Sequence, residues 1–554
     1  MTPVQYSMRT NKNPPTTLHP TLRILPILIF ICIIVVLNCT PPVSRDALTH
    51  HLAIPKLYLV YGGIYEIPAL LFSYYPMNLE FLYLVPLWFG NDIIPKFIHM
   101  FFGLATAWLI FSYLKKQIGA NWGLFGALFF LTTPIIIHLS TSAYVDLGVS
   151  FFTTASLLLL LQWRKSEKTS LLLLAGICAG LAAGTKYNGL ITLFLLTCFV
   201  PFLTKKGAPH DTQIKVKALL VFIFPALVAV SPWLIRNILW TGNPVFPLFP
   251  SVFNGGETSI TQGMNPLLIR KLVYHEPLWQ TLLIPIRIFL EGQDNNPQYF
   301  DGVLNPFILL FSLVAFFPQP KNSTLRTDKK IFLWFIILFL LFAFIQRVIR
   351  IRYIVPALPF LIILSTFGIH QIQSFLAQKK SVFPVAAIPW LLLFTAFLFN
   401  GNYLLNHWQN IRPLEYLSGE TSRTAFISRF WQEYPLVDYA NKTLPQSADI
   451  LAVFLGNRGY YFDRSVRFDL KKGKSLLYSL AKEQPDENAI AISLQETGIT
   501  HLLIREDLFQ QNSKHQLTLT EQQRLSLFVQ KHTKRIAATR NHSLRTLIAT
   551  DAED

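Results

Sequence analysis

Between Ser44 and Glu80 the chain gathers three carboxylates (Asp46, Glu66, Glu80), two histidines (His50, His51) and two cations (Arg45, Lys56). Such a set can move protons and hold an anion. Ser44 is placed to cap a helix that begins at Arg45 or Asp46, and Gly62-Gly63 to end it. On that helix Asp46 and His50, four residues apart, share a face. A carboxylate beside a low-dielectric boundary has its pKa raised, which makes Asp46 a candidate general base. His50 and His51 suit three roles: orienting that base, contacting a phosphate, or joining Asp46 on a divalent metal. Further along, Lys186, Arg236, Arg347, Arg350 and Arg352 stand at the ends of apolar runs. Arginine grips phosphate in bidentate fashion, while lysine acts as a point charge. Glu80 and Asp146 each sit near a helix start, where a carboxylate caps, pairs with a cation or holds a hydroxyl.

The elements that must position these groups are apolar. Of 554 residues, 52% are hydrophobic and only 14% charged, well short of the roughly 25% charged residues of a soluble domain. The formal net charge of +18 therefore speaks for orientation in a membrane, and nucleic acid is excluded as a partner. Cys32, Cys178 and Cys198 lie inside apolar runs and Cys39 at the end of one, so no disulfide framework or zinc spacing follows. The hydrophobic pattern predicts about eleven spans of roughly 15–20 residues. They are Leu22–Asn38, Ile93–Tyr113, Trp122–His138, Leu147–Trp163, Ser170–Thr185, Leu190–Leu203, Ala218–Ile235, Val303–Phe317, Ile331–Ile345, Tyr353–Ile369 and Val382–Phe399. No small-residue cleavage site follows the first, which reads as a retained anchor.

Lys115-Lys116, Arg164-Lys165, Lys205-Lys206, Lys329-Lys330 and Lys379-Lys380 all fall on one side of these spans, which makes that side cytoplasmic. The amino terminus is then inside and the carboxyl terminus outside. Residues 1–21, polar and Pro-rich, are expected to form a disordered cytoplasmic tail. Residues 22–400 form a transmembrane domain with an outer loop at 39–92 and a second at 236–302, the latter holding a surface helix near Leu278–Leu290. Residues 401–554 read as a small α/β domain outside the membrane. Its apolar runs Ile450–Leu455, Thr500–Ile504 and Ser543–Ala549 suit strands, and Asp486–Thr497 and Thr520–His532 suit capped helices. Tyr74, Tyr75 and Trp240 read as interfacial aromatics.

The run Asp46-Ala-Leu-Thr-His-His-Leu-Ala-Ile-Pro-Lys56 resembles the first outer loop of bacterial GT-C-fold glycosyltransferases, which include protein O-mannosyltransferases and aminoarabinose transferases. Thr141-Ser-Ala-Tyr-Val-Asp146, Ala183-Gly-Thr-Lys-Tyr-Asn-Gly189, Ser231-Pro-Trp-Leu-Ile-Arg-Asn237 and Arg350-Ile-Arg-Tyr-Ile-Val-Pro-Ala-Leu-Pro359 add to the resemblance, as do Asn457-Arg-Gly-Tyr-Tyr-Phe-Asp463 and Gly498-Ile-Thr-His-Leu-Leu-Ile504 in the tail. It implies an inner-membrane enzyme that takes a sugar from a polyprenyl-phosphate donor and places it on a glycan, lipid or protein acceptor at the periplasmic face. It also implies Asp46 as the general base. Where many relatives carry two adjacent acids, this chain has Arg45-Asp46, so a second carboxylate stays unassigned.

Transfer of this kind needs a base, cations for the leaving phosphate and an apolar groove for the isoprenoid. Asp46 suits the first, with inversion at the sugar carbon. Lys186, Arg236, Arg350, Arg352 and Lys56 are candidates for the second, Lys186 and Arg352 foremost. His50, His51, Glu80 and Asp146 are candidates to orient or bind substrate. A transporter or flippase of lipid-linked glycans would instead show buried mid-span charges and paired repeats, and the spans are nearly free of charge at their centres. A polysaccharide polymerase or ligase is a further alternative, disfavoured by the soluble tail.

Overall fold

The computed structural model describes residues 20–204, 211–253, 266–317, 323–344, 349–378, 383–471 and 474–548. Arg347 and the amino-terminal residues before Pro20 lie outside these. A helix stands at each expected span, from Pro20–Asn38 through Ile94–Ile118, Asp146–Ser166, Thr169–Thr185, Asn188–Leu203 and Asp211–Thr241 to Pro306–Val314, Ser323–Phe344, Leu358–Gln378 and Phe383–Ile411. Long apolar runs adopt helices because, away from water, backbone groups must bond within their own segment. Among the described residues four helices are long and apolar enough to cross a membrane, or five if one bent pair counts as a span, fewer than the sequence led us to expect. Shorter apolar helices such as Arg23–Asn38, Thr169–Thr185 and Asn188–Leu203 account for part of the difference.

The bent pair corrects one expectation directly. Trp122–His138 is not one straight span but Ala120–Thr132 and Pro134–Ser140, set at 69°. Thr133 before Pro134 takes φ −59° and ψ 131°, outside the helical region that a following proline ring disfavours. Elsewhere the helices pack closely. Thr169–Thr185 lies against both Asp146–Ser166 and Asp211–Thr241, and a Cβ at Gly176 or Gly180 would run into the carbonyls of Phe222 and Ala226.

The expected surface helix in the second outer loop is two short helices, Leu278–Leu282 and Ile284–Leu290, the second opening with Pro285. Arg287 and Arg270 bind Glu276 beneath them, Arg270 at 2.8 Å, and both guanidinium groups lie over the Phe300 ring.

After Ile411 the chain builds the small mixed domain. Its strands are β1 (Asp449–Val453), β2 (Ser465–Phe468), β3 (Leu470–Lys471), β4 (Lys474–Ser475), β5 (His501–Arg505), β6 (Thr533–Ala538) and β7 (His542–Leu547). Five of them form a sheet in the order β2-β1-β5-β7-β6, parallel at β2-β1-β5 and antiparallel at β5-β7-β6; β3 and β4 make a separate hairpin. β1 is buried along its whole length, which is why it reads as a continuous apolar run. The expected helices appear as Glu487–Glu496, capped by Asp486, and Leu519–Lys531, opened by a Thr518/Glu521 capping box.

Candidate active site

The opening loop enters as a helical turn and widens at Ala47–His51 into a π-turn, where the Leu52 N–H reaches Ala47 O at 2.8 Å. A π-turn of this kind frequently marks a functional position. The helix Ala53–Tyr61 follows and ends at Gly62, whose φ of +74° is the left-handed cap expected of it. Ser44 does not cap the helix with its side chain. Its hydroxyl bonds the Ser142 hydroxyl at 3.0 Å, which ties the loop to the Thr141–Asp146 segment instead.

Three buried or half-buried pairs meet beside this turn. Arg352, at the start of the 3₁₀ segment Ile351–Ala357, binds Asp46 at 2.5 Å. Lys186, just past the helix Thr169–Thr185, binds Asp146 at 2.7 Å in the first turn of Asp146–Ser166. His51 Nδ1 and Glu80 Oε1 lie 2.7 Å apart, both side chains buried. Shared aromatics join the pairs: Arg352 lies over Tyr144 and Tyr353, and Lys186 over Tyr353 as well. The Tyr83 hydroxyl donates to the Tyr144 carbonyl. His50 stacks on Phe72 at 4.2 Å and tilts against His51.

Burial alone would push the Asp46 carboxyl up, but the charge and hydrogen bond of Arg352, aided by His50 and Arg350, hold it well below the usual carboxylate range. The cation that keeps Asp46 ionised is thus Arg352, not Arg45 or Lys56. Burial dominates at Glu80 and pushes it up to about 8, while Lys186 and Arg236 pull only partly against it. Burial lowers His50 to about 4 and His51 well below its ordinary value. Burial thus favours the neutral form of both Glu80 and His51, whose Oε1 and Nδ1 share one short contact. His50 Nδ1, His51 Nε2, Glu80 Oε2 and Asp146 Oδ2 are buried without a hydrogen-bond partner among the described residues.

Other candidates make their contacts outside the three pairs. Arg236 is held between Trp233 and Trp240 and donates to the Tyr75 carbonyl at 3.0 Å. Arg350 binds Asp301 at 3.1 Å. Lys56 turns away from the pairs. Its ammonium binds the Tyr460 and Phe462 carbonyls and Asp463 of the tail, the last at 2.8 Å, so the expected phosphate ligand is an interdomain tie. Tyr74 is buried, not interfacial, with its hydroxyl on Glu66 at 2.6 Å. Among the described residues no three His, Cys, Asp or Glu side chains stand close enough to hold a metal ion.

Two groups escaped the sequence reading. His99 lies fully buried in a helix; its Nδ1–H donates to the Leu139 and Ser142 carbonyls and its Nε2 accepts from Leu147 N–H. It clamps the segment that delivers Asp146. Tyr144 faces Arg352. The only signal for His99 was a lone histidine inside an apolar run.

Comparison with known proteins matches the backbone to one architecture. A family model described as dolichyl-phosphate-mannose-protein mannosyltransferase matches residues 87–235. ArnT from Cupriavidus metallidurans in its apo state superposes over 95% of this chain and 98% of its own, with a TM-score of 0.57 at 13% identity. The chain has the GT-C fold. The same protein bound to undecaprenyl phosphate gives a TM-score of 0.54 at 14% identity, covering 96% of this chain and 98% of its own. An Archaeoglobus fulgidus oligosaccharyltransferase tethered to an acceptor peptide gives 0.52 at 11% identity, over 93% of this chain and 72% of its own. No curated protein matches by sequence. The resemblance carried by the sequence motifs is thus supported by the GT-C backbone, and the Asp46, Asp146 and Glu80 pairs sit together at one end of its helical bundle.

Proposed function

We propose that this chain is an inverting membrane glycosyltransferase that moves a sugar from a polyprenyl-phosphate donor to a cell-envelope acceptor at the periplasmic face of the inner membrane. The observation that carries the reading is the meeting of Asp46 with Arg352 beside Lys186 and Asp146 at one end of an apolar helical bundle. The mannosyltransferase family match and the relative bound to undecaprenyl phosphate support a lipid-linked donor.

In this reading the donor phosphate lies against Lys186 and Arg352, with Arg236 and Arg350 outside the three pairs. The acceptor hydroxyl or amine gives its proton to Asp46 as its oxygen or nitrogen attacks the anomeric carbon. The bond from that carbon to the phosphate oxygen breaks on the opposite face, and polyprenyl phosphate leaves with the electron pair. Attack from that side inverts the carbon.

The Asp46–Arg352 pair adds a gating step. A carboxylate held well below its usual range is a weak base. When the donor phosphate engages Arg352, Asp46 loses its strongest counter-charge and its pKa climbs toward the ordinary value. The base is thereby strengthened only when a donor is present. Glu80, His51 and His50 line the same region and orient the acceptor.

The reading is tested by mass spectrometry of lipid-linked sugars and envelope glycans from cells with and without the protein. Loss of one glycan with build-up of its polyprenyl-linked precursor is the expected result; unchanged profiles of both would overturn it.

A further inference from the structure

The tail carries a motif that the transfer chemistry does not use. Asn457–Asp463 leaves the sheet after β1 and lies against the opening loop, where it makes contacts at three levels. The Tyr461 hydroxyl donates to the Pro42 carbonyl at 2.7 Å, just ahead of the helical turn. The Tyr460 N–H donates to the Leu48 carbonyl at 3.1 Å, inside the π-turn. The Lys56 ammonium, one turn beyond, takes the carbonyls of Tyr460 and Phe462 and the Asp463 carboxylate. Arg423 adds an ion pair to Asp92 at the far end of the loop.

The middle contact has a specific cause. In an α-helix the Leu52 N–H would bond the Leu48 carbonyl, but in the wider turn it goes to Ala47 O. The Leu48 carbonyl is left to accept from outside, and the tail supplies the donor. The tail therefore satisfies the group that the π-turn releases, on the turn that follows Asp46 and carries His50 and His51.

We infer that Tyr460–Asp463 is a positioning segment for the catalytic loop: it holds the π-turn open and fixes Asp46 and His50 in register with the cations. The inference rests on the proposed transferase reading for its effect on turnover, but not for the contact itself. It also reassigns Lys56, whose role becomes tying the loop to the tail and not binding phosphate.

The test uses the full-length protein in detergent or nanodiscs and the double variant Lys56→Met/Tyr461→Phe, which removes the ammonium and one hydroxyl while leaving both side chains able to pack. Hydrogen exchange of the amides of residues 47–52 is expected to quicken about tenfold or more, since charge-assisted hydrogen bonds are the stronger kind, while amides of β1 and β5 keep their protection. Polyprenyl-phosphate affinity should stay at its wild-type value and kcat for transfer should fall about tenfold. Lys56→Arg, which keeps the charge, should recover part of the loss. Unchanged exchange at 47–52 would overturn the inference, as would faster exchange with unchanged kcat, equal loss of protection across β1 and β5, or weakened phosphate affinity in Lys56→Met alone. If the wild-type protein transferred no sugar, the exchange data would still decide the contact, and the fault would lie with the transferase reading.

Discussion

Asp46 and Arg352 stand 306 positions apart in the chain, and their side chains meet at 2.5 Å. The proposed base is therefore stored against the cation that the donor phosphate is expected to claim. Removing either partner should show both halves of that exchange.

Asp46→Asn keeps the shape of the side chain and removes the proton acceptor. Transfer should fall by about 10²–10⁴, the usual worth of general-base assistance. Polyprenyl-phosphate affinity should hold or rise, because Arg352 no longer has a competing carboxylate. Near wild-type turnover in this variant would move the base to Glu80 or Asp146.

Lys186→Ala and Arg352→Ala should each weaken donor-phosphate binding about tenfold or more, since a hydrogen bond to a charged group is worth roughly 1.5–3 kcal/mol. The Arg352 variant should also lower thermal stability by leaving Asp46 without its cation. Titration with polyprenyl phosphate, followed by thermal unfolding with and without it, separates the two effects. Unaltered affinity in both variants would falsify the phosphate assignment.

Glu80 sets a pH dependence whose sign follows from its raised pKa. Unfolded, a glutamate ionises near pH 4.3; folded, Glu80 keeps its proton up to about 8. The folded state thus binds the extra proton between these values, and its stability falls as pH rises through that window. His51, held low by burial, makes the opposite demand as pH falls below its unfolded value. Glu80→Gln still offers a donor to His51 Nδ1 but no longer titrates. Its melting temperature relative to wild type should climb steadily between pH 5 and pH 8, and a flat difference would contradict the buried neutral carboxyl.

His501 lies in β5 with its Nδ1 at 2.7 Å from the Thr500 hydroxyl, remote from the three pairs. His501→Ala should lower the stability of the tail and leave kcat intact. A normally folded, donor-binding His501→Ala protein without turnover would give the tail a role in the chemical step.

Topology follows from the basic loops. In a chain freed of its native cysteines, a cysteine at Ser166 should react only from the cytoplasm and one at Gln511 only from outside. Labelling of both from the same side would remove the periplasmic assignment of the site.

The sequence by itself determined where helices form, because a long apolar run in a membrane must close its hydrogen bonds locally, whatever its neighbours do. It also determined the end of the loop helix at Gly62 and the buried strands β1 and β5, each written in adjacent residues, whereas the bend before Pro134 went unread. The edge strands β2 and β6 went unread because their burial is interrupted and their pattern weak. Residue types around the site were legible too: Asp46, Glu80, Asp146, Lys186 and Arg352 were all singled out. Their partners were not. An ion pair depends on which segments the packed helices bring within a few ångströms, and charge pattern along the chain does not encode that distance. Only the tertiary structure gave Arg352 to Asp46, Lys186 to Asp146 and His51 to Glu80, and only it turned Lys56 from the site toward the tail. The protonation of Glu80 was likewise decided there, since its pKa is set by how completely neighbouring helices exclude water from its carboxyl.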